Sequence, residues 1–427
     1  MRGRLSILLG VLFASIAAVF PARASTPVDH LMEPSVFCDA HPQFRDGPVV
    51  VDGPSSQIPV HNLVFSPAFA SACRLGSGEF TYLGTGERAG INAVRDRRAE
   101  RAFGTADVPM STTELVQASF DQTAPDRRGR ILPGGLRQIP IFVGVEAVAF
   151  NLTSCNIPNL NLRSPVLSAI YLGRITKWND PLLVANNPGL TNCAYPIRII
   201  KRADYSGSTL TLKDYLSRRN PEWNYYKQQA QNQSWPTVTN FCPALDEDGM
   251  ADCISTTQNS IGYIQYHVAR AAKLRTARLD NMTSQGLTDP NAAFIAPSPQ
   301  GCTTAATTAI GPPPVRRHII DVPVVGISPA TPSFDFTQSD WSQVSLADAP
   351  TGYPLCSFGY AFMYAQIQTA YFGQYYSLNA ARTAVDYLWV AVSDSGQARL
   401  PLYDFGSLPP NIADVSRAGL ESIRYQT

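Results

Sequence analysis

The chain has 427 residues, a length that suits two or three domains at about 150 residues each. Hydrophobic residues make up 44% and charged residues only 16%, which excludes a disordered or highly charged polymer. Lys and Arg total 34 against 33 Asp and Glu, so the net charge is +1 and there is no basic footprint for nucleic acid.

At the N-terminus, Arg2 and Arg4 precede an apolar run over 5–20, broken only by Ser6, Gly10 and Ser15. Ala22-Arg23-Ala24 then fits a small-x-small cleavage site. Residues 1–24 are therefore predicted to be a secretory signal peptide, because a run of about 16 is short for a span of about 20. An N-terminal membrane helix is the alternative. Cleavage after Ala24 removes three arginines and no acid, which moves the charge from +1 to −2. No Cys lies at the cleavage site to carry a lipid, and no later stretch is apolar enough to span a bilayer. The expected location is periplasmic or secreted.

Further along, Phe80–Leu83 is predicted as a strand, Gly84-Thr85-Gly86 as a turn and 89–102 as a helix. Residues 139–150 form a long extended apolar run, 197–200 a short strand, and 210–216 open an amphipathic helix. Strands alternating with helices from about 58 to 266 indicate α/β architecture. Residues 286–350 are rich in Pro, Thr, Ala and Ser, including Gly311-Pro312-Pro313-Pro314, and are predicted to be an irregular insertion. Order is predicted to return over 359–370 and 380–393.

The eight cysteines, Cys38, Cys73, Cys155, Cys193, Cys242, Cys253, Cys302 and Cys356, agree with export. An even count suggests four disulfides, with 105 connectivities open. Pairing of neighbours along the chain is expected, and Cys242 with Cys253 most of all. There is no C-x-x-C and no H-E-x-x-H, so neither a metal nor a cofactor is expected.

Three segments carry chemistry. Arg202-Ala203-Asp204-Tyr205-Ser206-Gly207-Ser208-Thr209 follows a strand and opens a helix. A helix N-terminus offers free N–H groups and a positive dipole, and Arg202 adds a fork that suits a tetrahedral oxyanion. An ordinary capped helix beside a surface arginine is the alternative. Phe103-Gly104-Thr105-Ala106-Asp107-Val108-Pro109 puts Asp107 at a strand end, where a plain turn residue would also fit. Gly84-x-Gly86-x-x-Ala89, with Asp107 about 20 residues on, matches a dinucleotide fingerprint, but export and eight cysteines argue against NAD.

Taken together, these segments resemble the periplasmic phosphate-binding component of phosphate ABC importers. Leu172-Gly173-Arg174-Ile175-Thr176-Lys177-Trp178-Asn179-Asp180-Pro181 is similar to that family's "LGKITKWNDP". Arg202-Ala203-Asp204-x-Ser206-Gly207-Ser208 is similar to "RADGSGT", Phe103-Gly104-x-x-Asp107-x-Pro109 to "FGASDAP", and Ile261-Gly262-Tyr263-Ile264-Gln265-Tyr266 to "IGYVEY". The order and spacing hold from about 50 to 270. The resemblance implies a type II binding-protein fold, with two α/β lobes joined by a hinge and the ligand in the interlobe cleft. One lobe would hold 25–150 and return over 351–427, and the other would hold 151–350. It implies a non-enzymatic monomer that binds inorganic phosphate or a related oxyanion and delivers it to an ABC permease. The alternative is a secreted relative recruited to another role, a surface interaction or a phosphate-ester ligand. A hydrolase ranks lower, for want of a G-x-S-x-G elbow or a Ser-His motif.

The ligand roles implied are Arg202, Ser206, Gly207 and Ser208 from one lobe. From the other come Asp107, which would accept a hydrogen bond from a protonated ligand oxygen that sulfate lacks, and the loop at Gln57 and Ile58. Two positions depart from the family. Gln57 stands where its first loop, "GATFP", has Thr, and Glu87 stands where its second, "GSSGG", has the first Ser. A second carboxylate beside an anion is unfavourable unless a proton or cation intervenes. Glu87 turned to solvent or paired with Arg88 is the alternative. Tyr205 replaces a Gly and is expected to narrow the cleft.

Overall fold

A computed structural model describes residues 49–73, 80–118, 120–121, 130–131, 135–228, 234–281, 293–308, 340–342, 344–371 and 378–424. The predicted signal peptide, Cys38 and the Gly311–Pro314 run lie outside these residues. The strands that matter here are β1 (Val49–Asp52), β2 (Phe80–Leu83), β3 (Phe103–Ala106), β4 (Leu136–Asn151), β5 (Arg198–Ile199), β6 (Ser260–Gln265) and β7 (Cys356–Tyr364). They lie in one sheet in the order β2-β1-β3-β7-β4-β6-β5, and Arg275–Thr276 also pairs with β4. The β1–β2, β1–β3 and β5–β6 pairs are parallel, and β3–β7, β7–β4 and β4–β6 are antiparallel.

The central element is β4. Its 16 residues are nearly all buried, as the apolar run over 139–150 requires, since a strand covered on both faces has no polar alternation to show. Along it the partner changes. Leu136–Val145 pair with β7, whose Cys356 faces Val145, and Glu146–Asn151 pair with β6, whose Gln265 faces Glu146. The two halves of the fold are thus built on opposite ends of one strand. Helices flank both halves, and Trp178, Trp223 and Trp341 are completely buried.

Two predicted elements differ. The helix expected over 89–102 runs Glu87–Arg95 instead. It stops because Asp96 leaves the helical region and Arg97 adopts φ 51°, so the arginine-rich tail is a turn. The stretch expected to be an irregular insertion contains a helix, Pro299–Thr308, whose Cys302, Ala305 and Ala306 are buried. Small residues let that helix seat closely, and Cys302 is bonded to Cys356 at the start of β7.

Neighbouring cysteines pair as expected, Cys155 with Cys193, Cys242 with Cys253 and Cys302 with Cys356. Cys73 is also disulfide-bonded. Each such link closes a chain loop and typically adds about 2–4 kcal/mol.

The Glu87–Arg95 helix sits unusually close to the sheet. A Cβ at Gly90 would stand 2.0 Å from the Thr105 carbonyl oxygen and 2.9 Å from that of Asp52, both backbone atoms that cannot yield cheaply. Gly90→Ala is expected to lower stability by about 1–3 kcal/mol through overpacking. Urea unfolding should show a lower midpoint at unchanged slope, and an unchanged midpoint would show that the helix can lift off freely.

Candidate functional site

The chemistry gathers where β4 changes partner. On one side, Asp107 follows β3 and is held by the loop after β1. The Ser56 hydroxyl donates to Asp107 Oδ2, and Gln57 Nε2 donates to Oδ1 at 2.8 Å. Gln57 is itself oriented from behind. His61 lies 3.3 Å from Gln57 Oε1 through Nε2 and 2.8 Å from the Tyr387 hydroxyl through Nδ1, and its ring stacks on Tyr82 at 4.2 Å. Burial drives the His61 pKa down to about 3, so the ring is neutral. One direction satisfies every group: Tyr387 donates to His61, His61 to Gln57 and Gln57 to Asp107.

On the other side, Lys201–Arg202 pairs in parallel with Pro243–Ala244 and feeds the helix Gly207–Arg219. Ser206 is its N-cap and accepts from the Thr209 N–H at 3.4 Å. Tyr263, from β6, ties this turn to the sheet. Its hydroxyl accepts from the Arg202 N–H at 3.1 Å and lies 2.6 Å from Thr209 Oγ1. The helix terminus then meets Asp107 directly. A Cβ at Gly207 would stand 2.5 Å from the Asp107 Cβ and 3.0 Å from Glu87 Oε2, so only glycine fits.

A cavity of about 300 Å³ lies between these walls. Its described lining includes Ser56, Glu87, Asp107, Arg202, Ser206 and Gly207. Of the predicted residues, these are the ones brought together around the cavity. Gln57 acts one step back, through Asp107. Ile58 does not join them: its N–H is committed to the Ser55 carbonyl, and its side chain lies against Gly84. Ser208 is buried behind the wall and donates to Glu247 at 2.9 Å.

Glu87 does not turn to solvent. It is 2% exposed, and Oε1 accepts from the N–H groups of Asp107 (2.9 Å) and Val108 (3.2 Å). Arg88, the alternative partner, instead pairs with Glu114 at 2.5 Å and lies over the Tyr205 ring. Glu87 Oε2 has no hydrogen-bond partner among the described residues.

Arg202 is not a free cation. Nη1 donates to Glu247, Nε donates to Asp204 at 2.6 Å, and Nη2 also reaches Asp204. Glu247 is not among the residues that the resemblance implies. It reads only as part of the acidic turn Asp246-Glu247-Asp248, yet its Oε2 also accepts from the Gln265 N–H at 2.8 Å. Beneath it, Glu146 accepts from Gln265 Nε2, and its second oxygen is unpartnered among the described residues. Burial opposes charge on Arg202, but Asp204 and Glu247 outweigh it and raise the pKa. Burial, then Asp107, pushes Glu87 well up, and burial, then Glu247, does the same for Glu146. Burial raises Asp107 to about 6 despite the bonds from Ser56 and Gln57. No cluster of His, Cys, Asp and Glu among the described residues could hold a metal ion.

Because the Asp107 pKa lies near 6 folded and about 3.9 unfolded, ionisation costs more in the folded chain. Its contribution is therefore fully present below about pH 4 and lost as pH rises through about 6. In phosphate-free buffer the melting temperature should fall between about pH 5 and about pH 7.5. Asp107→Asn should flatten that fall, and scanning calorimetry showing parallel curves would remove Asp107 as its source.

A family model for the PBP superfamily domain matches residues 39–364. A phosphate-binding protein PstS from Xylella fastidiosa is 28% identical over 231 residues, 54% of this chain and 56% of the relative, so the match spans little more than half of that relative's length. The solved phosphate-binding protein from Stenotrophomonas maltophilia has a TM-score of 0.59 at 16% identity, covering 87% of this chain and 94% of that one. PfluDING, a periplasmic phosphate-binding protein solved with phosphate bound at pH 8.5, has a TM-score of 0.57 at 15% identity, over 87% and 93%. The two-lobed α/β fold and the family model agree, and the chain belongs to the PBP superfamily.

Proposed function

We propose that this chain is an exported solute-binding protein whose cavity takes inorganic phosphate for uptake. The observation that carries the reading is the meeting of Arg202 and the capped helix terminus at Gly207 with Asp107 across one small cavity. The cation and the N–H dipoles suit a tetrahedral oxyanion, and a buried carboxylate suits an oxyanion that still carries a proton. The relatives' names agree with it. The lobes would comprise 25–150 with 351–427, and 151–350, with β4 and β7 near the hinge. Three disulfides support an oxidising compartment. No helix among the described residues is long and apolar enough to cross a membrane. The protein would hand its ligand to an ABC permease. The protein would act as a monomer and a binder rather than an enzyme.

A second reading has one observation behind it. A larger cavity of about 580 Å³ shares Asp107 and Tyr205 with the first, which leaves room for the organic part of a phosphate ester.

Calorimetric titration with phosphate, sulfate and a phosphate monoester separates the two. Inorganic phosphate should bind and sulfate should not, whereas tighter binding of the monoester would favour the second reading. Arg202→Ala should weaken phosphate binding by about 2–5 kcal/mol, roughly thirtyfold or more, with the fold retained in a thermal melt. Affinity within about threefold of wild type would take Arg202 out of the site.

A further inference from the structure

The cavity holds more negative charge than an anion site needs. Among its described lining residues, Glu87, Asp107, Asp204, Asp246 and Glu247 are acidic, against Arg202 alone as a cation. Two of the acids stand where a ligand would be expected. Glu247 Oε1 accepts from both Arg202 Nη1 and the Ser208 hydroxyl, two donors that the family resemblance assigns to phosphate. From the opposite wall, Oε2 of Glu87, which has no hydrogen-bond partner among the described residues, points at the start of the Gly207–Arg219 helix.

We propose that Glu247 and Glu87 are built-in acids of the ligand space, so that the cavity takes a tetrahedral oxyanion only together with protons. The ligand would be dihydrogen phosphate, or another oxyanion with two ionisable hydroxyls. This rests on the phosphate reading and narrows it.

Arg202 is held on its other edge by Asp204, so it cannot balance Glu247 and an incoming dianion together. Asp107, already bonded to Ser56 and Gln57, accepts one ligand hydroxyl. Glu87 Oε2 needs a second hydroxyl. The hydroxyls of Tyr82 and Tyr263 are directed at Pro54 and Thr209. Arg88 is spent on Glu114 and the Tyr205 ring. Glu146 lies behind Gln265 and adds a further buried acid. A monobasic phosphate carries two P–OH groups, one for Asp107 and one for Glu87. A dibasic phosphate must gain a proton on binding, and whether that proton sits on Glu87 or on the ligand, the count is the same. Sulfate has none to offer, and a monoester has one fewer.

The test is calorimetry of phosphate binding at about pH 5.5 and about pH 8.5, in buffers of differing ionisation enthalpy, for wild type, Glu247→Gln and Glu87→Ser. The wild type should bind at least about tenfold more tightly at the lower pH and take up about one proton per phosphate at the higher. Each variant should bind more tightly than wild type at the higher pH, by about tenfold, and show a smaller ratio between the two pH values. The ligand's own titration is common to all three proteins, so the difference between them reports the carboxylates. If one variant fails to fold, the other decides. Equal pH ratios in wild type and variants would overturn the proposal while leaving phosphate as the ligand. Binding of phosphate by none of them would overturn the phosphate reading and this proposal together.

Discussion

Among the described lining residues a single guanidinium carries the positive charge of this cavity, and the other features of the site answer to it. Arg202 is buried with Glu247 on one edge and Asp204 on the other. A buried charge is tolerated only when paired and hydrogen-bonded. With both acids in place the arginine is satisfied, but the field it offers a ligand is largely cancelled. Charge complementarity in a cleft of this kind depends on what the protein has already placed there, and here the protein has placed carboxylates.

The fold makes that arrangement rigid. Glu146 and Gln265 face each other at the point where β4 exchanges β7 for β6. Gln265 touches Glu146 with its side chain and Glu247 with its backbone N–H, so the base of the cavity is fastened to the strand that joins the two halves. On the opposite wall, the Tyr387–His61–Gln57 relay sets Asp107 from a fully buried stack of rings. Neither acid can swing away without breaking contacts in the core. A ligand must therefore adapt its protonation to the walls, since the walls have little freedom to adapt to the ligand.

How much of this was legible in the sequence follows from how local each signal is. Arg202, Ser206 and Gly207 lie in one contiguous segment, and a strand leading into a capped helix can be read from neighbours alone. Asp107 is legible for the same reason. Glu247 is not, because its meaning depends on Lys201–Arg202 lying beside Pro243–Ala244, a pairing across about 40 residues that nothing in the acidic turn announces. The disulfide Cys242–Cys253 was readable from spacing, yet its effect, pinning the helix that bears Glu247, appears only in three dimensions. Likewise 299–308 reads as low complexity by composition, while its buried Cys302, Ala305 and Ala306 form a close-packed seam. Ile58 differs in the opposite sense: it is adjacent to Gln57 in the chain, but the short helical turn Ser55–Gln57 commits its N–H to the Ser55 carbonyl, and it is not among the residues that line the cavity.

Glu87 shows most clearly how a local reading and a spatial one differ. On its helix it is a favourable first-turn acid, where a carboxylate complements the dipole. In space it also takes the N–H groups of Asp107 and Val108, which removes two donors from the cavity wall. The helix thereby carries a buried acid at its own N-terminus, at the expense of a site that would otherwise attract anions. The close seat of Gly90 against β3 keeps that helix from shifting, so Glu87 has no low-cost way to retreat. What remains adjustable is the proton. A cavity bounded by fixed acids and one shared arginine selects among oxyanions by the hydroxyls they bring, and total charge becomes the secondary criterion.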